Sequence, residues 1–456
     1  MRRWDQLAPY NAGQVMRVSG LGDAARWQAA ARKVLTDLQL GRPVFDAAEQ
    51  TVRFSIPRAE DITVTQLAAS ATWEAHCQVE LNRPFAPGAM PVRFFMVPAA
   101  PNHDTASPGA SHYFGAIYDH WIADSRAMRN LLQRIFEYYA SRTPSPPLTL
   151  RGGGFADHYR RHLGWWPAAA RLRESALSFL RHRRASRINL RDPLDFSAGL
   201  IYQQLPAGLI GRVHRWARTQ QASVNDVFLA TLSQTMGEAT AAERYRKGGR
   251  LFHPVRRKLA LGTIVDIRDL ASQSLERVFG VFLSSYTVVL TRPEAQPPER
   301  LIEVISRRTR QIKRHYATIR NLAALESVIK WWDRYQSPRG RALFFQKNIP
   351  LIAGISNVNM TSSWVDPPPT TISHTAVSAT IAAGNPPPPN SFLTGPMVLD
   401  YLRISPTGPL LPLVFTLTTI GPRLSLCVTY RTTAFTDEQA RALGADFIKR
   451  LEQLCP

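Results

Sequence analysis

Strand-like and helix-like segments alternate along almost the whole chain, and this alternation restricts the fold more than any other feature of the sequence. Residues 14–18, 51–56 and 113–118 have the apolar, β-branched patterns of strands, whereas residues 22–38 and 437–454 carry apolar side chains at helical spacing. This alternation is typical of α/β proteins. Because a single core rarely grows beyond about 250–300 residues, the 456 residues predict two lobes.

The remaining segments follow the same two patterns. Further predicted strands cover residues 91–97, 202–205, 251–255, 281–290, 412–420 and 423–430. Further predicted helices cover residues 61–81, 128–139, 155–184, 209–219, 224–238 and 299–316. Proline clusters at 367–369 and 386–389 bracket a β-like run at 371–382 and indicate loops. We expect a first lobe over residues 1–190 and a second lobe over residues 191–456.

The chain is strongly basic, with a formal net charge of +22, and 49 of its 56 basic residues are arginine. Much of this charge lies in residues 151–195 and 299–347. Neither region has the interleaved aromatic residues of a single-strand binder or the spacing of a zinc finger or helix-turn-helix. We therefore expect no specific nucleic-acid partner, and the basic surface favours other anionic partners.

The cysteines, the short apolar runs and the N-terminus indicate in which cellular compartment the protein is expected. Cys77, Cys427 and Cys455 are widely spaced, form no CxxC pair, and leave one thiol over in any disulfide scheme. No apolar run approaches the roughly 20 residues of a membrane-spanning helix, and the N-terminus lacks the apolar core of a signal peptide. We expect a cytoplasmic protein without a membrane span, and peripheral membrane contact stays open.

The chemistry of the chain is concentrated in residues 118–125 (YDHWIADS), between a predicted strand and a predicted helix. His120 and Asp124 form an HxxxD element there. A histidine that titrates near neutrality can take a proton from an alcohol or an amine. Asp124 can fix the local geometry that such a base requires, or it can serve as the N-cap of the helix that follows.

This element resembles the HHxxxDG motif of the superfamily of condensation domains and chloramphenicol acetyltransferases. Residues 279–285 (FGVFLSS) are similar to the GxFxNT strand of condensation domains, and residues 155–159 (FADHY) to their YxDYA element. Residues 223–230 (SVNDVFLA) and 355–359 (ISNVN) resemble the wax-ester-synthase branch of the same superfamily.

The resemblance implies two chloramphenicol-acetyltransferase-like lobes in a V-shaped pseudo-dimer, with an interface tunnel that contains the histidine. His120 would act as a general base while an acyl group moves from a thioester to a hydroxyl or amine acceptor. Asp124 would be a positioning residue paired with an arginine, for which Arg268 is the candidate. The acyl donor would be coenzyme A or the phosphopantetheine of an acyl or peptidyl carrier protein in trans. A monomer without a tightly bound cofactor or metal is the family expectation.

The departures from the motif suggest an atypical pocket, and Ser125 keeps a second function open. Asp119 stands where many condensation domains have a first histidine, and Ser125 replaces the glycine of the motif. Trp121 is bulky for its position. We take Asp119, Trp121, Ser125 and Ser284 as candidate residues of the substrate tunnel. The alternative is a catalytically inactive module that keeps the fold and serves binding or recruitment.

Other patterns are better explained by structure than by chemistry. His158 and His162 have a spacing that could hold a metal, but no third ligand lies nearby in the sequence, so a solvated helix face is expected. Asn225 and Asp226 open a predicted helix and are expected to cap it. The glycines at 152–154 lack the context of a phosphate loop. No GxSxG motif supports a serine hydrolase.

Overall fold

The computed structural model of the protein shows a mixed α/β chain built on two large sheets. The structure describes residues 4, 7–46, 51–99, 110–152, 157–159, 176–177, 179–245, 255–314, 318–319, 328–360 and 395–456. The predicted run at 371–382, both proline clusters, and most of the predicted strand 251–255 and helix 155–184 lie outside these residues.

The elements follow one another in the alternating order that the sequence predicts. The strands are β1 Asn11–Ser19, β2 Pro43–Asp46, β3 Thr51–Phe54, β4 Val64–Gln66, β5 Val92–Pro98, β6 Ser111–Asp119, β7 Thr149–Leu150, β8 Ala198–Gln204, β9 Lys258–Asp266, β10 Val278–Phe279, β11 Leu283–Thr291, β12 Ala353–Asn359, β13 Val398–Ile404, β14 Leu413–Ile420 and β15 Arg423–Arg431. The helices are α1 Ala24–Leu38, α2 Trp73–Asn82, α3 Ser125–Tyr139, α4 Leu209–Thr219, α5 Val224–Tyr245, α6 Pro298–Arg314, α7 Pro338–Asn348 and α8 Asp437–Leu454.

The first sheet has the strand order β13-β1-β6-β5-β4. β1 pairs antiparallel with β6 along its full length, so that Asn11 lies opposite Asp119 at the end where β6 leads into the HxxxD element. On its other side β1 pairs antiparallel with β13, a strand from the C-terminal part of the chain. The first sheet is therefore completed by a segment very distant in sequence.

The second sheet has the strand order β11-β9-β12-β14-β15-β8. Its central strand β12 pairs in parallel with both β9 and β14, whereas the outer pairs are antiparallel. Helices α4, α5, α6 and α8 contribute buried apolar residues to the core of this sheet. A parallel centre covered by helices suits the near-continuous apolar character of strands such as β14.

A separate apolar cluster joins the two sheets. Trp73 and Cys77 of α2 lie in it together with Ile117 of the first sheet. Leu200 and Cys427 of the second sheet belong to the same cluster. Because α2 contacts β1, β6 and β8, the helix lies between the sheets and fixes one against the other.

One predicted element is wrong in part. Residues 61–81 were expected to form one helix, but the structure has a 3-10 turn at Ala59–Asp61, the strand β4 and the shorter helix α2. β4 pairs in parallel with β5, and this tertiary pairing overrides the local helical pattern. Strands β2, β7, β9, β12 and β13 and helix α7 were not predicted at all.

The division between residues 190 and 191 stays a prediction. The first sheet uses strands from residues 11–119 and the second uses strands from residues 198–431, but β13 lies in the first sheet. Within the described ranges, every helix is too short or too polar to span a lipid bilayer.

The face of the first sheet opposite α2 is organised around Trp27 of α1, which is fully buried. Its ring stacks on Phe114 of β6 and on Tyr139 of α3, with centroid distances of 3.9 and 3.7 Å. Its indole N–H donates to Nε2 of His112 at 3.0 Å. These contacts fix α3, the helix that begins directly after Asp124, against the sheet.

We expect Trp27→Ala to lower the free energy of unfolding by about 3–5 kcal/mol, because the change leaves a cavity between α1, β6 and α3. The matched control is Trp331→Ala, since the Trp331 side chain is 43% exposed and its loss should cost about 1 kcal/mol or less. Urea unfolding monitored by circular dichroism measures both values. Equal losses in the two variants would contradict the assigned role of Trp27.

Candidate active site

His120 lies at the point where β6 ends and is held there by β1. Its backbone N–H donates to the carbonyl of Tyr10 at 3.1 Å, which continues the pairing of the two strands by one residue. The Tyr10 ring stacks on the imidazole, with centroids 5.7 Å apart and an angle of 22° between the planes. The ring of Tyr118 meets the imidazole edge-on at 5.8 Å. The imidazole therefore has aromatic contacts that restrict its orientation.

A hydrogen bond at Nδ1 sets the tautomer of His120. Nδ1 lies 2.9 Å from the carbonyl oxygen of Ala123. A carbonyl only accepts, so Nδ1 carries the proton and Nε2 keeps its lone pair. Burial lowers the pKa of His120, although the bond to Ala123 partly opposes this effect. The arrangement provides a neutral imidazole whose Nε2 can accept a proton.

Asp124 is fully buried, and its carboxylate has three hydrogen-bond partners. As the N-cap of α3, it accepts the backbone N–H of Ala127 at 2.8 Å. It also accepts the N–H of Phe282 at 2.7 Å and a guanidinium N–H of Arg268 at 2.9 Å. Phe282 and Arg268 lie far from Asp124 in sequence, so the carboxylate joins the start of α3 to the segment between β9 and β11.

Arg268 is nearly as buried as Asp124 and contacts two carboxylates. Its Nη1 lies 3.2 Å from Oδ2 of Asp266, and its guanidinium lies over the ring of Phe282 at 4.7 Å. Burial by itself lowers the pKa of this arginine, but Asp124 and Asp266 outweigh burial and raise it. Arg268 therefore stays charged and can neutralise the buried carboxylate of Asp124.

The short segment that reaches Asp124 requires a glycine. The backbone N–H of Asp124 donates to the carbonyl of Gly280 at 3.1 Å. A Cβ at Gly280 would lie 2.9 Å from the Cβ of Arg151, so a side chain would separate these strands. The segment 279–285, which is similar to the GxFxNT strand, thus runs directly beside Asp124.

Comparison with solved structures identifies the architecture. The first condensation domain of the CDA synthetase has a TM-score of 0.64 and 14% identity, and the match covers 100% of this chain and 93% of that chain. The condensation domain of the Monacolin K polyketide synthase MokA has a TM-score of 0.61 and 13% identity, and the match covers 99% and 94%. This chain has the condensation-domain fold. It thus consists of two chloramphenicol-acetyltransferase-like lobes.

A third structure with the condensation-domain fold comes from a complex. The X-domain of teicoplanin biosynthesis, solved together with OxyB, has a TM-score of 0.55 and 18% identity, and the match covers 100% of this chain and 91% of that chain. No family model matches the sequence, and no curated protein matches it either. The relationship is therefore visible in the fold and not in the overall sequence.

Asp119 and Trp121, two of the candidate tunnel residues, contact each other. The indole N–H of Trp121 donates to Oδ2 of Asp119 at 2.6 Å. The Trp121 ring also packs against the β2–β3 hairpin, stacking on Phe54 at 6.1 Å and meeting Phe45 at 5.8 Å. The carboxylate at the position of the first motif histidine thus orients a large aromatic side chain next to His120.

Ser125, which replaces the motif glycine, belongs to a polar network that the sequence did not predict. Its Oγ accepts N–H groups of Gln14 at 3.2 Å and of Arg403 at 3.1 Å. Tyr401 donates its hydroxyl proton to the side-chain oxygen of Gln14. Arg403 is buried, and desolvation lowers its pKa to about 10. Gln14 and Arg403 escaped prediction because their strands are paired only in the folded chain.

The other predicted residues lie in structural contacts. Ser284 is buried, and its hydroxyl donates to the carbonyl of Thr318 at 2.6 Å. Ser223 caps α5 by accepting the backbone N–H of Asp226 at 3.2 Å, and Asp226 accepts the N–H and the hydroxyl of Ser223 in return, at 3.0 and 2.7 Å. Asn225 instead donates to the hydroxyl oxygen of Thr263 at 3.4 Å. His158 Nε2 lies 2.8 Å from the carbonyl of Gly152, and His162 lies outside the described residues. In the part of the chain that the structure describes, no group of three or more His, Cys, Asp and Glu side chains could hold a metal ion.

We expect Arg268→Ala to lower the free energy of unfolding by about 3–5 kcal/mol, because it leaves the Asp124 carboxylate buried without its counter-charge. Arg126→Ala is the matched control, since Arg126 also pairs with Asp266, at 3.2 Å, but is 29% exposed. Such a pair contributes about 1 kcal/mol or less. Urea unfolding measures the free energy of unfolding of both variants. A decrease in Arg268→Ala no larger than that in Arg126→Ala would contradict the role of Arg268 as the counter-charge of Asp124.

Proposed function

We propose that this protein is an acyltransferase that moves an acyl group from a thioester to a hydroxyl or amine acceptor, with His120 as the general base. The single observation that carries the proposal is the hydrogen bond between Nδ1 of His120 and the carbonyl of Ala123, since it leaves Nε2 as a proton acceptor. The condensation-domain fold supports the same reaction class, because similar solved structures are condensation domains of a polyketide synthase and of the CDA synthetase.

In the proposed reaction, Nε2 of His120 takes the proton of the acceptor's O–H or N–H while that atom attacks the thioester carbonyl. The tetrahedral intermediate then collapses and its C–S bond breaks. The thiolate leaves as a thiol by taking the proton from His120, so that the imidazole returns to its neutral form. No acyl-enzyme is required. Asp124 and Arg268 act as positioning residues in this scheme, because their contacts hold the turn that carries His120.

The donor in this proposal is coenzyme A or a carrier-protein phosphopantetheine supplied in trans. A substrate analogue was bound to the first condensation domain of the calcium-dependent antibiotic synthetase, which supports small-molecule access to such a fold. Asp119, Trp121 and Ser125 remain proposed tunnel residues, since they lie within five residues of His120 along the chain. Ser284 also remains a proposed tunnel residue, and its hydroxyl donates to the carbonyl of Thr318.

A second candidate function is recruitment without catalysis. The X-domain has a similar fold and was solved in complex with OxyB, which supports a protein-binding role for this architecture. Ser125 supports the same alternative, because its side chain fills the place of the motif glycine and binds Arg403. If the protein has this recruitment function, substitution of His120 would leave partner binding unchanged.

The first experiment measures thiol release from acyl-coenzyme A and acyl-pantetheine donors and from a loaded carrier protein, each with alcohol and amine acceptors. We expect acceptor-dependent release by the wild type and a loss of about 10²–10⁴-fold in His120→Ala, because the proton acceptor is removed. The matched control is His214→Ala, a half-buried histidine on α4. Release from none of the donors, or equal rates in wild type and His120→Ala, would favour the recruitment function.

The pH dependence offers an independent prediction. Because burial lowers the pKa of His120 below its ordinary value of 6.5, the imidazole stays mostly neutral at pH 6.5. We expect kcat/KM for acyl transfer to reach half of its maximum below pH 6.5, because Nε2 is half-protonated only below that pH. A half-maximal rate at or above pH 6.5 would contradict the neutral base.

A further inference from the structure

A cavity in a different part of the structure from His120 is lined by residues 179–187, 256 and 347–348. It has a volume of about 290 Å³ and forms where a helical turn at 179–182, the residues before β9 and the end of α7 meet. Its lining residues are Phe179, His182, Arg183, Arg184, Arg187, Arg256, Lys347 and Asn348. We call this set the basic cavity.

The basic cavity brings together the two basic regions of the sequence. Arg183 and Arg187 belong to the region 151–195, whereas Lys347 ends the region 299–347. A guanidinium N–H of Arg187 donates to the backbone carbonyl of Lys347 at 2.7 Å, so the two regions are in direct contact. Arg256 donates to the carbonyl of Ala185 at 2.8 Å. The fold thus collects cations from three separate segments around one concave space.

The cations of the basic cavity are not neutralised by the protein. Among the described residues, no carboxylate forms an ion pair with its four arginines or with Lys347. Burial lowers the pKa of Arg187 and of Arg256, and repulsion from Arg187 lowers the pKa of Arg256 further. Arg268 differs from these arginines, because two carboxylates pair with its guanidinium. Like charges held together in this way are stabilised by a bound anion.

The basic cavity is separate from the candidate active site. Ser186 donates its backbone N–H to the carbonyl of Lys258, which places the cavity beside the first residue of β9. The last residue of β9, Asp266, contacts Arg268, the partner of Asp124. At a rise of about 3.3 Å per residue, the two ends of this strand are roughly 26 Å apart. An anion in the cavity would therefore not touch the reacting atoms at His120.

We propose that the basic cavity binds the phosphate group of a small phosphorylated molecule. Guanidinium groups match phosphate oxygens in a bidentate geometry, and several of them converge here. The volume is near the lower end of the range for small-ligand sites, which favours a compact ligand over a protein surface. The half-exposed ring of Phe179 offers an apolar face beside the cations, which suits a phosphate attached to a planar or apolar group.

The test is isothermal titration of the full chain with inorganic phosphate, pyrophosphate, adenosine 3′,5′-bisphosphate, coenzyme A, dephospho-coenzyme A and adenosine. We expect saturable binding of the phosphorylated probes and none of adenosine. Tighter binding of coenzyme A than of dephospho-coenzyme A would support the proposal with the 3′-phosphate as the bound group. Equal affinities for coenzyme A and dephospho-coenzyme A would support the proposal with the diphosphate as the bound group.

The test variant is Arg183→Gln combined with Lys347→Gln. Both side chains are exposed and form no hydrogen bond among the described residues, so the fold is expected to persist, as the melting temperature will check. We expect affinity for the phosphorylated probes to fall about tenfold or more. The control is Arg215→Gln with Arg218→Gln, two exposed arginines of α4 whose loss changes the net charge equally. The control should bind like the wild type.

Three results would overturn the proposal. The first is absence of binding by every phosphorylated probe, and the second is an equal loss of affinity in the test and control variants, which would indicate net charge alone. The third is binding that appears only with oligonucleotides and grows with their length, which would indicate a polyanion surface. The titrations with inorganic phosphate and pyrophosphate are independent of acyl transfer, because neither compound is a donor in the proposed reaction. His120→Ala should bind the probes unchanged even if the proposed reaction is absent.

Discussion

The buried contact between Asp124 and Arg268 is the interaction on which the candidate site depends. The Asp124 carboxylate accepts one N–H group at the start of α3 and the N–H of Phe282. It also balances the positive charge of the Arg268 guanidinium. Ala123, the residue before it, holds Nδ1 of His120. The orientation of the imidazole and the contact with the β9–β11 region are therefore set by adjacent residues of one turn. A buried ion pair of this kind adds little to the net free energy of folding, and its main effect here is to fix the position of α3 relative to the segment between β9 and β11.

Three sets of arginines among the described residues lie in different environments, and each environment indicates a different role. Arg268 is buried against two carboxylates and serves as a structural counter-charge. Arg403 is buried among neutral acceptors, including Ser125 Oγ and the carbonyls of Ser356 and Leu417, so its charge is dispersed over dipoles. Among the described residues, the arginines of the basic cavity pair with no carboxylate, and only Arg187 and Arg256 donate to backbone carbonyls, which makes the set suited to an anionic ligand. Net charge alone could not separate these cases.

The sequence predicts local elements well and long-range ones poorly. Helices α4 and α8 begin and end at the predicted residues, because the periodicity of both helices and the capping box of α8 are encoded locally. β13 was missed because Asp400 and Arg403 interrupt its apolar pattern and its pairing partner β1 is remote. The same limit applies to the site. The HxxxD element and Arg268 were found from motif and order, whereas Gln14 and the cations of the basic cavity converge only after folding.

The placement of β13 next to β1 has a consequence for how the chain folds during synthesis. These strands are separated by about 390 residues, so the first sheet cannot be completed until nearly all of the chain has left the ribosome. Until then β1 presents an open row of backbone N–H and C=O groups on one side. An expressed fragment that stops before residue 398 would keep this edge permanently open, and self-association through it is the expected fate of such a fragment.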